Sequence, residues 1–277
     1  MSTSNRVKQP AFIESPQGHA VSAALLLLSV VLLTISRLAN LSPWWDEGWT
    51  LAVAQTWVDH GHYGMLRNGE PVSPGLSAAF PTVAPVAIGF RLFGVGIWQG
   101  RLPILVITLA AFALFYHLAE ILYRPRVGLL AVFLALFVVT HPDFHAVITG
   151  QQVLAEMPMI ALLLAGLVWF FYALQQSPWS LILAIAFWSL ALVTKAQVLP
   201  FWAVSLLWVL IVLLFQRQWR FALLTAGALV GSYAMAGWGW NPLIGRLLEG
   251  QTVGGAGVQG LYSVTAFVPV TTVRQGA

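Results

Sequence analysis

Cysteine is absent from this chain, and charged residues are scarce. Asp, Glu, Lys and Arg make up 8% of the 277 residues, whereas hydrophobic residues make up 59%. Soluble domains carry about 25% charged residues, so this composition excludes an ordinary soluble protein. Without cysteine, the chain has neither disulfides nor thiolate metal ligands. The lack of charge and a mean hydropathy of +0.82 predict an integral membrane protein.

The sequence also lacks a nucleotide-binding loop and a basic cluster. The glycines of TVGGAGVQG follow no predicted strand, so no nucleotide site is expected. The net charge of +4 comes from 13 Lys and Arg spread along the whole chain, which excludes nucleic acid as a partner and fits the cytoplasmic ends of membrane helices. No cleavage signature follows the first apolar run, which we interpret as a retained signal anchor.

Seven apolar runs predict an all-α, polytopic transmembrane helix bundle. Each approaches the roughly 20 residues that span a bilayer. The predicted helices are 20–39, 101–122, 127–141, 157–174, 180–194, 198–215 and 221–238. The predicted organisation is an N-terminal segment 1–19, a membrane module 20–238 with a long loop 40–100, and a tail 239–277.

The basic residues predict the orientation of the bundle. Arg and Lys cluster before the first span, in YRPR between the second and third spans, and in FQRQWR between the sixth and seventh. By the positive-inside rule, the N-terminus is cytoplasmic. The expected location is the plasma (inner) membrane. Alternation then places residues 40–100, 142–156 and 239–277 outside.

Acidic residues and histidines concentrate on this outer side. Seven of the nine acids and four of the six histidines fall there: Asp46, Glu47, Asp59, Glu70, Asp143, Glu156, Glu249, His60, His62, His141 and His145. These side chains are the ones suited to general acid–base catalysis. The outer face is therefore where proton-transfer chemistry is expected.

The outer segment 40–100 is too long to be a simple connection. The stretch DEGWTLAVAQTWVDHG predicts a short helix on the membrane surface, ended by Gly61. RNGEPVSPG contains Asn-Gly and two prolines and predicts turns. VAPVAIGFRLFG predicts a second interfacial helix or a shallow re-entrant segment.

Asp46 and Glu47 are adjacent acids close after the first predicted span. Adjacent helical residues point about 100° apart, so one acid can face a cavity while the other binds a cation or a helix end. Apolar, tryptophan-rich surroundings make such a carboxylate a candidate general base. A hydrated acid in a first helical turn is the alternative. Glu156, next to Met157 and Pro158, is likewise either a site acid or an ordinary helix start.

Arg101 and Lys195 are the cations nearest to the same outer level. Lys195 lies between two apolar spans, where an unpaired ammonium is costly. A phosphate at the headgroup level would compensate it, and snorkelling of the side chain to water is the alternative. Arg67 and Arg91 are weaker candidates of the same kind.

Two histidine pairs have spacings that a metal site can use, namely His60 with His62 and His141 with His145. The sequence singles out no ligand set, so no cofactor is assigned and a divalent metal is left open. His117 and Glu120, three residues apart near the inner end of the second span, predict a structural hydrogen-bonding pair.

Four motifs occur in order at the outer level: WWDEGWTLA, GFRLFGVGIWQGRLPILV, LAEMPMIALLLAGL and ALVTKAQVLPF. Over about residues 25–220, this set resembles the polytopic GT-C glycosyltransferases, in the branch of protein O-mannosyltransferases and the lipid A aminoarabinose transferase. The resemblance implies an outward-facing active site that takes sugar from a polyprenyl phosphate and transfers it, with inversion, to a lipid, glycan or protein acceptor.

By position, the resemblance implies a role for each candidate residue. Asp46 corresponds to the acid that activates the acceptor, Glu47 to its support and Glu156 to a second acid. Arg101 and Lys195 correspond to ligands of the lipid phosphate, and Arg67 is a further substrate-binding candidate.

The chain departs from the family pattern in several places. FPTVAP stands where relatives often carry His-Pro-Pro or Lys-Pro-Pro, Glu156 replaces the more usual Asp, and TKA replaces TKG. The short length predicts the N-terminal part of a longer enzyme. The alternative function is a truncated, non-catalytic membrane module that binds a lipid-linked sugar or a partner protein. A small-solute transporter fits less well, because transporters place ionisable residues near the midplane of repeated halves.

Overall fold

The computed structural model describes residues 16–35, 45–72, 78–138, 150, 152–195, 197–240 and 242–244. Within these residues the chain is mostly helical. The helices, in chain order, are α1 (Pro16–Ile35), α2 (Trp45–His60), α3 (Phe80–Phe93), α4 (Ile97–Leu122), α5 (Pro125–Phe137), α6 (Glu156–Gln175), α7 (Ser180–Thr194), α8 (Val198–Phe215) and α9 (Trp219–Ala234). A π-helical segment, Met235–Trp240, extends α9.

Each of the seven predicted spans overlaps a helix. The predictions 180–194 and 198–215 match α7 and α8 at both ends, so TKAQ does separate two helices. Among the described residues, four segments are long and apolar enough to cross a membrane: Ile97–Leu122, Glu156–Gln175, Val198–Phe215 and Trp219–Ile244. α5 and α7, with 13 and 15 residues, are apolar but shorter. At 1.5 Å per residue they rise about 20 Å, less than the roughly 30 Å hydrocarbon core.

In the segment that the sequence predicts to lie outside, the described residues form two helices and a hairpin. α2 and α3 form where the sequence predicts helices, and α2 ends before Gly61, whose φ of +69° suits glycine. Between them, strands β1 (Met65–Arg67) and β2 (Glu70–Val72) pair in antiparallel fashion. Asn68 and Gly69 have φ of 54° and 86°, the left-handed pair of a type I′ turn. This hairpin is an addition to the predicted all-α bundle.

Among the described helices, α6 and α7 pack against each other most extensively. The Trp188 indole is fully buried and lies over Gly166, where a side chain would overlap the ring. Its Nε1 donates to the Leu163 carbonyl at 3.2 Å. The ring centroid also lies 5.2 Å from that of Phe170 and 5.9 Å from that of Trp202, so α6, α7 and α8 share one core.

Apolar side chains cover much of the bundle surface. On α8, Phe201, Trp208 and Phe215 are more than 60% exposed. Such a surface is unstable in water but suits hydrocarbon. Together with the helix lengths, it identifies a membrane-embedded, multi-pass protein.

Some predictions fall on residues outside this description. These are the histidine pair His141 with His145, the acids Asp143 and Glu249, and most of the terminal segments 1–19 and 239–277.

Candidate active site

Glu47 and Arg101 form a fully buried ion pair that joins α2 to α4. Arg101 Nε donates to Glu47 Oε1 and Nη2 donates to Oε2, both at 2.7 Å. Both side chains are 0% exposed. This bidentate geometry is the strongest arrangement of an arginine with a carboxylate. One of the two adjacent acids therefore binds a cation, one of the two roles that their helical spacing allows.

The Glu47 carboxylate also holds the segment that leads into α6. The backbone N–H of Val153 donates to Glu47 Oε1 at 3.1 Å. Near it, the Thr108 hydroxyl of α4 lies 2.7 Å from the carbonyl oxygen of Gly150 and donates to it. These contacts fix the chain close before Glu156. The sequence carries no signal for the Val153 contact, because a backbone amide is present at almost every residue.

Asp46 begins the same turn but has a different environment. Its side chain is exposed, and its backbone carbonyl accepts a hydrogen bond from Thr50 Oγ1 at 3.1 Å. Glu47 is fully buried and Asp46 is exposed, which fits the roughly 100° between adjacent side chains on a helix. The neighbouring Trp45 is 80% exposed, so an aromatic surface flanks the carboxylate.

Glu156 and Lys195 form a second ion pair, between the start of α6 and the end of α7. Lys195 Nζ donates to Glu156 Oε1. The Lys195 and Glu156 side chains are 28% and 36% exposed. Each charge lies at the helix end whose dipole favours it: the carboxylate at an N-terminus and the ammonium at a C-terminus. This pairing is the contact by which the two site candidates meet.

The backbone of Lys195 is anchored on both sides. Its N–H donates to the Ala191 carbonyl and its own carbonyl accepts from the Val198 N–H, both at 3.1 Å. Lys195 therefore links α7 to α8 through its main chain and α7 to α6 through its side chain.

The two ion pairs lie at one end of the bundle, where α4 and α6 begin and α7 ends. Together with Asp46 they bring three carboxylates and two cations to this end. The sequence predicts this grouping, with Glu156 and Lys195 at the level of Asp46 and Glu47.

The remaining candidates lie outside both pairs. Arg67 is exposed on β1, opposite Glu70 in the strand register. Arg91 is exposed in the last turn of α3. His60 is exposed and His62 is half-buried. In the described ranges, no three His, Asp or Glu side chains group as metal ligands.

The buried Tyr63 connects the segment before the hairpin to the start of α3. The Tyr63 hydroxyl donates to the Ala78 carbonyl at 2.6 Å, and its ring centroid lies 5.4 Å from that of Trp57 and 6.5 Å from that of Phe80. Burial raises the pKa of this hydroxyl, so it stays protonated and keeps donating. A cavity of about 220 Å³ opens on α2 and β1, lined by Ala52, Gln55, Thr56, Asp59, His60, Met65 and Leu66.

The predicted pair of His117 and Glu120 is confirmed at the other end of α4. His117 Nδ1 lies 3.3 Å from Glu120 Oε2, and Nε2 lies 2.5 Å from the hydroxyl oxygen of Tyr172. The imidazole therefore links α4 to α6 far from the ion pairs.

Comparison with known proteins places the chain in a family. The family model described as dolichyl-phosphate-mannose-protein mannosyltransferase matches residues 82–239, more than half of the chain. The chain belongs to this family of GT-C glycosyltransferases. The matched range contains Arg101, Glu156 and Lys195, whereas Asp46 and Glu47 precede it.

A solved structure supports the same fold. The crystal structure of ArnT from Cupriavidus metallidurans in the apo state matches with a TM-score of 0.58 and 18% identity, over 82% of this chain and 42% of ArnT. This family member thus spans under half the length of ArnT. The predicted GT-C resemblance is confirmed at the level of family and fold. No curated protein sequence matches this chain.

Proposed function

We propose that this chain transfers a sugar from a polyprenyl-phosphate donor to an acceptor at the outer face of the plasma membrane, with inversion. The observation that carries the proposal is the exposed Asp46 carboxylate, fixed beside a fully buried Glu47–Arg101 pair at the same bundle end as Lys195. In this proposal the N-terminus of the chain is cytoplasmic. Arg and Lys cluster before the first predicted span, between the second and third, and between the sixth and seventh.

Asp46 acts as the general base. Its carboxylate takes the proton of the acceptor hydroxyl or amine while the acceptor atom attacks the anomeric carbon. The bond between that carbon and the lipid phosphate oxygen breaks, and the phosphate leaves with the electron pair. One displacement inverts the configuration. Glu156 then holds the sugar or the acceptor.

Lys195 stabilises the departing phosphate. An ammonium at the headgroup level offsets the charge that develops on the leaving oxygen. Its partial exposure, 28%, leaves it within reach of a lipid headgroup. Arg67 and Arg91 are exposed cations of the outer segment that would add weaker attraction for the same group.

We assign Arg101 a positioning role in place of direct phosphate contact. Its Nε and Nη2 donate to Glu47, and its side chain is 0% exposed. Held in this way, Glu47 sets the direction of Asp46 and, through Val153, the path of the chain toward Glu156. The pair supports catalysis by fixing two acids at once.

A transfer assay tests the proposal. Membranes containing this chain would be charged with radiolabelled polyprenyl-phosphate sugars, and transfer would be compared between wild type and Asp46→Asn. Loss of a general base reduces rate about 100- to 10,000-fold. The matched control is Asp59→Asn, an exposed acid on the far side of the same helix, which should leave transfer within about twofold.

Each outcome decides between hypotheses. Equal transfer by wild type and Asp46→Asn removes Asp46 from the mechanism. No transfer by either protein, with lipid-linked sugar still bound, favours a non-catalytic binding module.

A further inference from the structure

We propose, resting on the function above, that Lys195 exchanges partners during donor binding. It donates to Glu156 in this structure and to the donor phosphate in the donor complex. Glu156 therefore becomes available to the sugar or acceptor only after the phosphate has engaged Lys195. The Glu156–Lys195 pair makes binding ordered, with the donor first.

The charges of the two ion pairs and Asp46 favour such an exchange. Asp46, Glu47 and Glu156 contribute three negative charges, and Arg101 and Lys195 contribute two positive ones. An incoming phosphate adds further negative charge. If Glu156 kept its contact with Lys195, the Glu156 carboxylate and the donor phosphate would both contact the Lys195 ammonium. Two negative groups this close to each other repel. Departure of the carboxylate relieves this repulsion.

The two pairs differ in their ability to exchange. Glu47–Arg101 is 0% exposed and bidentate, so no external anion reaches it. Glu156–Lys195 is 36% and 28% exposed and uses one donor–acceptor contact. Partly exposed pairs are weak. A lysine ammonium is also a compact charge on a flexible stem, suited to changing partners.

Neither residue loses all support when the pair separates. Glu156 lies in the first turn of α6, where the helix dipole favours a carboxylate. The main chain of Lys195 is held by Ala191 and Val198, so only its side chain needs to move. The exchange is therefore a local rotation and leaves the helices in place.

Binding of farnesyl phosphate, a short polyprenyl phosphate without sugar, tests the exchange. The full chain in nanodiscs would be titrated by calorimetry. Glu156→Gln removes the competing carboxylate and should tighten binding about twofold to fivefold. Lys195→Gln should weaken binding about tenfold, and the double variant should resemble Lys195→Gln. Glu70→Gln is the control, because it removes an exposed outer-segment charge that is not part of the pair.

The exchange is overturned if Glu156→Gln binds farnesyl phosphate no more tightly than Glu70→Gln does. The Glu156 carboxylate would then not compete with the phosphate for Lys195. If the wild type binds no farnesyl phosphate, the proposed donor and the exchange fail together. Inorganic phosphate forms a second arm. Tightening for both probes supports exchange driven by phosphate alone, and tightening for farnesyl phosphate only supports exchange driven by the lipid.

Discussion

Two ion pairs at one end of this bundle each join a glutamate to a basic side chain, but they differ in exposure to solvent. Glu47–Arg101 is closed to solvent, bidentate and joined to the Val153 amide. Glu156–Lys195 is about one-third exposed and held by a single contact. Both connect elements distant in the chain, with separations of 54 and 39 residues.

The difference in burial gives the two ion pairs different roles. A buried pair is costly to break, because the remaining partner keeps an uncompensated charge away from water. A partly exposed pair costs little to break, because water replaces the lost partner. We infer that the closed pair fixes the geometry of the site and that the open pair takes part in substrate binding.

The largest expected effect comes from breaking the closed pair. Arg101→Ala leaves Glu47 buried and unpaired, which should lower the free energy of unfolding by about 3–5 kcal/mol. Thermal unfolding of the purified chain in detergent would measure the change. Arg91→Ala, which removes an exposed cation of α3, should change stability by less than about 0.5 kcal/mol. Equal losses of stability from the two variants would contradict the inference that burial makes the Glu47–Arg101 pair costly to break.

The positions of the site acids were predictable from local sequence, but their partners were not. The Asp46-Glu47 dipeptide, Glu156 and Lys195 stand out as charges beside apolar runs. Their separation on a helix allows one acid of the dipeptide to bind a cation or a helix end. That the cation is Arg101 depends on how α2 packs against α4, which no local pattern encodes. Arg101 was accordingly expected to meet phosphate and is found against Glu47.

Helix positions were predictable to the extent that apolar runs end abruptly. The boundaries of α7 and α8 follow from TKAQ, where four polar or small residues interrupt two apolar runs. The strands β1 and β2 have three residues each, too few to show a period-two pattern. Only their Asn-Gly turn was visible in the sequence.

A smaller effect is expected from the packing that holds the open pair. α6 carries Glu156 and α7 precedes Lys195, and the two helices approach closely at Gly166 against Trp188. Gly166→Ala would overlap the indole and push the helices apart, lowering stability by about 1–3 kcal/mol. It should also weaken binding of farnesyl phosphate, because Glu156 and Lys195 shift relative to each other.

Gly227→Ala is the matched control for that packing. A Cβ at Gly227 would lie 3.7 Å from Leu181 Cδ2, an ordinary contact. Alanine improves helix propensity by about 1 kcal/mol over glycine, so this variant should be neutral or stabilising. If both alanines stabilised the chain, close approach at Gly166 would not set the separation of α6 and α7.

The smallest expected effect is on stability when the open pair is broken. Glu156→Gln or Lys195→Gln should each change the free energy of unfolding by less than about 1 kcal/mol, because both side chains are partly exposed. The same unfolding measurement compares them with Arg101→Ala. If either substitution lowered the free energy of unfolding as much as Arg101→Ala does, the Glu156–Lys195 pair would be a second ion pair that stabilises the fold. Exchange with a phosphate would then be too costly to occur during turnover, so a small effect on stability is what the proposed exchange requires.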